Sequence, residues 1–354
     1  MRTRNRTAAR LLLLRRRGGG VTASSNPTID AALVIGTAAD TTDAVWSDAG
    51  ATETYAWEYS ADGSTGWATA AGMTTLDATP TDATYGYFLR LLCTRLGVTA
   101  TSAASGAAVG VEGALVLLDS SDAATLFQDD AGATPSVADA DPVGRWSDKS
   151  GNNFHATKAS NRPGLKLAIQ NGLNVVRFDG ANDSLVFSGS ALDMFRDAAY
   201  GYAFIIARPG GTTQTFIGIA TNSAAAARLQ VGESATPGRV EVRTRRLDAD
   251  TVVVITSDTT NGAAMKLYSV LAEWAAGTIK LRQNGVQVAS GSYAASGNTS
   301  DTASAAAIIG ANSAGANFLN GDEAYVLLIA RTTPLAGSTI SAIEAHLGAY
   351  WGLF

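Results

Sequence analysis

Turn-forming dipeptides recur along this chain at intervals too short for helices of ordinary length, and that spacing constrains the fold more than any other feature. Asp62-Gly63, Asn171-Gly172 and Asn284-Gly285 all accept the left-handed backbone that tight hairpin turns require. Between such turns lie short apolar or alternating runs. In residues 54–60, Tyr55, Trp57 and Tyr59 stand at alternate positions, so all three share one face of a strand. Residues 85–93 read as a second strand, and residues 114–119, 175–180, 204–209 and 318–329 as further ones. An all-β chain follows.

With 354 residues the chain has length for two domains. It is 46% hydrophobic but only 16% charged, and Ala, Thr, Ser and Gly make up the difference, a mix that suits sheets with small-residue turns. The reading divides it into a basic arm and glycine joint at 1–25, a small sandwich at 26–110 and a larger sandwich at 111–354. Residues 97–113, small and almost uncharged, carry the first module into the second.

Cys93 is the single cysteine, so no intrachain disulfide is available, and it reads as a small apolar residue on a buried strand face. His155 and His346 are the only histidines, and no C-x-x-C pair exists, which argues against zinc. No run approaches the ~20 apolar residues needed to cross a bilayer. Leu11 to Leu14 are too few for a signal-peptide core, and arginines follow directly. The expectation is a protein made in the cytoplasm, without membrane insertion.

Charge is uneven. Arg2, Arg4, Arg6, Arg10, Arg15, Arg16 and Arg17 fall in the first 17 residues, with no acid among them. Taking these seven charges from the net −5 leaves −12 on the rest, an arm of one sign on a body of the other. Gly18, Gly19 and Gly20 then supply a flexible joint. The arm can dock into an acidic surface of a partner protein, because the planar guanidinium grips carboxylates in two-pronged fashion. It can equally be a solvated tail. Phosphate binding is a third reading, and the acidic body opposes it by repelling nucleic acid.

The pattern W-x-Y-S-x-D-G-x-T-G-W at 57–67, then D-x-x-Y-x-Y-x-L-R at 82–90, resembles the immunoglobulin-like modules of phage structural proteins. In that likeness Trp57 matches the core tryptophan. The cysteine pair of the family is missing, so packing must replace it. Downstream, W-x-D-x-S-G-N at 146–152, Arg162-Pro163 and V-x-F-D-G-x-x-D-x-L at 176–185 resemble the concanavalin A-like lectin/glucanase superfamily in its laminin-G-like form. Residues 318–329 look like its closing strand. S-x-x-E spacing at Ser341 and Glu344, with an apolar stripe of Ile340, Ile343, Leu347 and Trp351, predicts a short C-terminal helix ahead of Trp351-Gly352-Leu353. The likeness implies a small Ig-like sandwich followed by a concanavalin A-like jelly roll. It also raises calcium, which related domains hold through oxygen ligands at the sandwich edge. Asp148, Asn152, Asp179 and Asp183 are the oxygen-bearing candidates, and capping of their own turns is the competing reading. No other cofactor is expected.

Glucanases of this fold need two carboxyl groups facing one another. The glutamates are Glu53, Glu58, Glu112, Glu233, Glu241, Glu273, Glu323 and Glu344, and none forms a same-face strand pair; Asp139/Asp141 and Asp248/Asp250 sit beside turns. No G-x-S-x-G elbow or phosphate loop is present. A non-enzyme is expected. Trp146 and Trp274 serve either as core or as sugar-stacking surfaces. The resemblance implies a phage virion protein, a head or tail fibre or spike, held to other virion proteins by its arm and presenting a lectin-like domain to host polysaccharide. A homotrimer is implied by the same likeness. A capsid or tail decoration protein without ligand is the alternative, and a polysaccharide-degrading enzyme the third.

Overall fold

The computed structural model describes residues 21–48, 50–106, 108–187, 194–221, 227–260, 262, 264–303 and 306–354. The arginines Arg2, Arg4, Arg6, Arg10, Arg15, Arg16 and Arg17 lie outside the described residues. The chain forms two compact units: residues up to Pro80 with Tyr87–Ala108, and Thr81–Gly86 with Val109–Phe354. It is all-β, with one α-helix among the described residues.

In the smaller unit, Glu53–Ser60 and Phe88–Arg95 pair antiparallel and form the centre of a four-stranded sheet, flanked by Ala68–Thr69 and Val98–Thr101. Trp57 lies opposite Leu91, and Tyr55 opposite Cys93. Trp57, Leu89, Leu91 and Cys93 are all buried, which makes this face the core. The buried indole N–H donates to the Thr75 carbonyl (3.0 Å), so Trp57 leaves no polar atom stranded.

The larger unit is a jelly-roll-like sandwich of two antiparallel sheets. One has nine strands, in the order Leu126–Phe127, Arg145–Trp146, Ala156–Thr157, Leu185–Phe187, Ala307–Ile309, Gln214–Ala220, Ala227–Glu233, Val240–Thr244 and Val253–Thr256. The other has eight, centred on Asn320–Arg331 and Tyr200–Pro209. Side chains from both sheets interdigitate in one core that includes Trp146, Trp274, Phe178 and Phe216. Both tryptophans are fully buried, so neither offers a surface on which a sugar could stack.

Sequence alternation accounts for strands such as Val240–Thr244 in the nine-stranded sheet, though not for Gln214–Ala220 beside them, and it fails for the centre of the eight-stranded sheet. Ala203, Ile205 and Ala207 point into the core, yet the intervening Tyr202, Phe204 and Ile206 are equally buried. A continuous apolar run on a strand means both faces are covered. The C-terminal helix α1 (Gly337–Tyr350) supplies part of the second cover and buries Ile340, Ile343, Leu347 and, just beyond its end, Trp351. Glu344 on α1 takes a two-pronged hydrogen bond from Arg282 of the sheet (2.8 and 2.9 Å), and Leu335 N donates to the Tyr202 hydroxyl (3.0 Å). The helix begins before Ser341: Ala336 is its N-cap and makes no side-chain capping bond, so the S-x-x-E pair does not cap it. Glu344 is occupied by Arg282 instead.

Thr81–Gly86 also belongs to this unit. Thr339 of α1 donates to Asp82 (2.8 Å), and Tyr85 packs edge-on against His346. Chain position alone assigns the segment to the 26–110 module. Its attachment is made by side chains some 260 residues distant, which no local pattern reports.

Asp322 and Glu323, adjacent on one strand, show how alternation decides the fate of an acid. Asp322 is inaccessible to solvent but sits between the guanidinium groups of Arg177 and Arg208. Glu323, equally inaccessible, lies opposite Val176 and Ala207 on the core-facing side, and neither carboxyl oxygen has a partner. Burial drives its pKa well above the ordinary value, and the neutral acid is the form that folds. The sign follows from linkage: this contribution is intact below the unfolded glutamate pKa, ~4.3, and is lost as pH rises toward the folded value. Thermal unfolding across pH is therefore expected to show a falling stability that Glu323→Gln flattens. Glu323→Leu is expected to raise stability at pH 7 by about 1–3 kcal/mol, the cost of an unsatisfied buried polar group. A Leu variant that melts lower than wild type contradicts this account.

A polar groove on the nine-stranded sheet

The outer face of the nine-stranded sheet carries a groove of ≈ 330 Å³. Its floor follows from alternation. Leu229, Val231, Val240 and Val242 point into the core, so Gln230, Glu241 and Arg243 on the same two strands point outward. Gln230 lies directly opposite Arg243. Arg243 is bonded to Glu241. One wall is the loop at 312–317, which is fastened to the sheet by the Thr215 N–H bond to the Asn317 carbonyl (2.9 Å). Asn312 stiffens that loop by accepting from Ala314 N and Ala316 N (3.1 and 2.9 Å). The loop lies so close to the strand that a Cβ on Gly218 would stand 2.5 Å from Ser313 N; glycine is the residue that permits the wall.

At one end of the groove, Gln214 and Glu233 are cross-strand neighbours, each only 8% exposed. Glu233 accepts from Gly238 N (2.9 Å) and lies near the Gly211 N–H, while neither its Oε2 nor the Oε1 of Gln214 makes a hydrogen bond of normal geometry. Burial raises the Glu233 carboxyl pKa. Two buried acceptors without a well-formed hydrogen bond, at the end of an open groove, are an unmet hydrogen-bonding capacity at that position. Glu241 also lines the groove, but it leaves its strand in the opposite direction from Glu233, which reaches the groove from the last position of its own strand. Glu233 pairs with the inward Val240, whereas Glu241 pairs with Gly232 one position along. A one-residue offset in a strand reverses direction, so the two carboxyl groups are not a facing couple.

The oxygen-bearing calcium candidates hold loops and turns together. Asp148 accepts from Leu117 N, Ser150 N and Phe154 N (2.8, 2.9 and 3.0 Å), and Asn152 donates to the Ala114 and Leu115 carbonyls (2.8 and 3.0 Å). These two stitch a loop to the strand Ala114–Asp119. Asp179 accepts from Ala181 N, Asn182 N and Asp183 N, and Asp183 returns a bond from Asp179 N (3.1 Å). The Asp179/Asp183 pair closes a turn through its own backbone. The groove residues were not among the sequence candidates. Their one signal is the i, i+2 spacing of polar side chains, Arg228/Gln230 and Glu241/Arg243/Arg245, between inward aliphatics. That spacing marks an exposed sheet face without saying that a loop walls it.

The fold and groove define an all-β, jelly-roll-like sandwich protein with a polar sheet face. No protein-family model matches the chain. No curated protein matches it. Among solved structures it is distantly similar to the receptor binding domain of botulinum neurotoxin type G (12% identity, TM-score 0.43, 67% of this chain and 52% of that one). It is likewise similar to the Ruminococcus gnavus IT-sialidase CBM40 bound to alpha2,3 sialyllactose (14%, 0.33, 42% and 83%). A third likeness is to Trypanosoma rangeli sialidase in complex with 2,3-difluorosialic acid (12%, 0.43, 73% and 43%). The chain spans about half the length of the toxin structure.

In the smaller unit, Asp43, Glu53 and Cys93 bring their ligand-type atoms within 4.8 Å of one another. Their hydrogen bonds are internal. Tyr55 donates to Asp43 (2.9 Å), the Cys93 thiol lies 3.5 Å from the same carboxylate, and Trp46 Nε1 donates to Glu53 (2.5 Å). Burial, helped by the bond to Asp43, pushes the thiol pKa up to about 12. At pH 8 thiol labelling of the folded chain is expected to be at least ~10-fold slower than that of the unfolded chain, because the thiolate is the reacting form. Equal rates would contradict this environment for Cys93.

Proposed function

We propose that this chain is a saccharide-binding display protein of a phage virion, with the groove on the nine-stranded sheet as its binding site. The observation that carries the binding reading is a groove lined by the amide, guanidinium and carboxyl groups of Gln230, Arg243 and Glu241, with the unpartnered acceptors Gln214 Oε1 and Glu233 Oε2 buried at its end. Sugar hydroxyls both donate and accept, so a ring seated there meets both kinds of group. The opposite sheet has an open pocket of ≈ 370 Å³ at the ends of its two central strands, but its guanidinium groups, Arg177 and Arg208, are both taken up by Asp322.

In this reading the basic arm, residues 1–17, anchors the protein to an acidic surface of other virion proteins. A trimeric fibre or spike would multiply weak contacts into avidity. Binding without cleavage is part of the proposal, and the opposed directions of Glu233 and Glu241 support it. Decoration of the capsid or tail without a ligand is the second reading, favoured by the arm alone.

Affinity electrophoresis of the full chain through gels containing host envelope polysaccharide tests the binding reading. Retardation is expected for wild type, and Gln230→Ala is expected to weaken it ~3–10-fold, the loss of one hydrogen bond. Lys166→Ala, on the other sheet, is expected to leave it unchanged. Absence of retardation by every envelope fraction sinks the binding reading and leaves decoration; release of reducing ends sinks the non-catalytic one. Deletion of residues 1–17 is expected to abolish incorporation into particles while preserving retardation, and normal incorporation of the truncated chain would refute the anchor.

A further inference from the structure

Four guanidinium groups cluster on this part of the nine-stranded sheet, and three have a carboxylate. Arg228 is paired with Asp248 (2.7 Å), Arg243 with Glu241, and Arg246 with Asp250 (3.7 Å). Arg245 has no carboxylate within 4.0 Å among the described residues; its bond goes to the Asp248 backbone carbonyl (3.3 Å). Its Nε is shut off from solvent and has no partner. Arg245 lines the groove. It stands one residue beyond the strand Val240–Thr244, on the same groove as Glu241 and Arg243.

A guanidinium that has lost part of its water and has no counter-charge is electrostatically incomplete, because desolvation is offset only by a paired anion. The neighbouring acids do not complete it. Asp248 and Asp250 are engaged by Arg228 and Arg246, so three guanidinium groups face two carboxylates at this end. The rest of the groove is neutral in balance at its middle, where Glu241 and Arg243 cancel, and offers uncharged amides at Gln230 and Asn312.

The groove is therefore polar along its length. Arg245 N bonds to the Arg228 carbonyl, which sets Arg245 level with Arg228. Glu233 lies five positions further along that strand, or ~17 Å at the rise of an extended chain. One end presents a lone cation, and the other presents the unpartnered acceptors of Gln214 and Glu233.

We propose that the groove takes an acidic oligosaccharide in one direction, with a carboxylate or sulfate group seated on Arg245 and neutral hydroxyls at the Gln214/Glu233 end. This rests on the saccharide reading above and adds the class of sugar. The planar fork of arginine matches either anion, so chemistry on the ligand must separate the two.

The test uses the full-length chain and one acidic envelope polysaccharide that it retains. Three forms of that polymer are compared: untreated, carboxyl-reduced and desulfated. Loss of about tenfold or more in affinity on carboxyl reduction identifies a carboxylate, and the same loss on desulfation identifies a sulfate. Arg245→Gln is expected to weaken binding to the untreated polymer by a similar factor and to leave binding to the sensitive, neutralised form unchanged. Arg245→Lys is expected to fall between. Binding by wild type should weaken as salt rises, and Arg245→Gln should be less salt-sensitive. The comparison of polymers on wild type stands even if the Arg245→Gln variant fails to fold. Equal affinity for all three forms overturns the acidic-sugar inference while the saccharide reading survives. Retention of no polysaccharide, acidic or neutral, overturns both.

Discussion

Tyr202, Phe204 and Ile206 stand on the outer side of the eight-stranded sheet, and left uncovered they would form a broad apolar surface in water. Helix α1 packs on that sheet, and with it comes the asymmetry of the larger unit. Burial of both faces lets strands such as Tyr200–Pro209 and Asn320–Arg331 be apolar at nearly every position. It also covers the middle of that sheet's outer face, so that its open pocket lies at the strand ends beside Arg177 and Arg208. The polar alternation of the other sheet then acquires a meaning, because Gln230, Glu241 and Arg243 stand on a face that no helix covers.

The period of two along a strand decides the role of each charged residue here. Asp322 and Glu323 are neighbours, yet one is held between two arginines and the other faces the core alone. Glu233 and Glu241 line the same groove, yet cross-strand register sends one inward and the other outward. Arg243 and Arg245 line the same groove, but only Arg243 is paired with an acid. The groove's chemistry is a list of which polar atoms the fold satisfied and which it left for something else.

Much of the architecture was legible in the residues. Alternation around Trp57, the Asn-Gly turns and the apolar stripe through Ile343 and Leu347 all describe local geometry, and local geometry is what a period reports. Trp146 and Trp274 resolved to the core, as large apolar groups in a sandwich interior do. The candidate site was far less legible. Asp148, Asn152, Asp179 and Asp183 have the right oxygen atoms for a cation, but backbone N–H groups within a few residues compete for the carboxylates, and Asn152 donates to strand carbonyls. S-x-x-E at Ser341 suggested a cap, but the helix starts earlier and Glu344 found a stronger partner in Arg282.

By itself the sequence determined the all-β character, the strand faces and the C-terminal helix, because turn chemistry and the two periods of side-chain direction act over a few residues. It also set the excess of arginine in the arm. Tertiary structure alone decided that a loop from 312–317 would wall the polar face, that Gln214 Oε1 and Glu233 Oε2 would be buried without a well-formed hydrogen bond, and that Arg245 would lack a carboxylate. Those facts depend on which distant strand becomes a neighbour. Hydrogen bonding and charge compensation are properties of that neighbourhood, and no spacing along the chain encodes it.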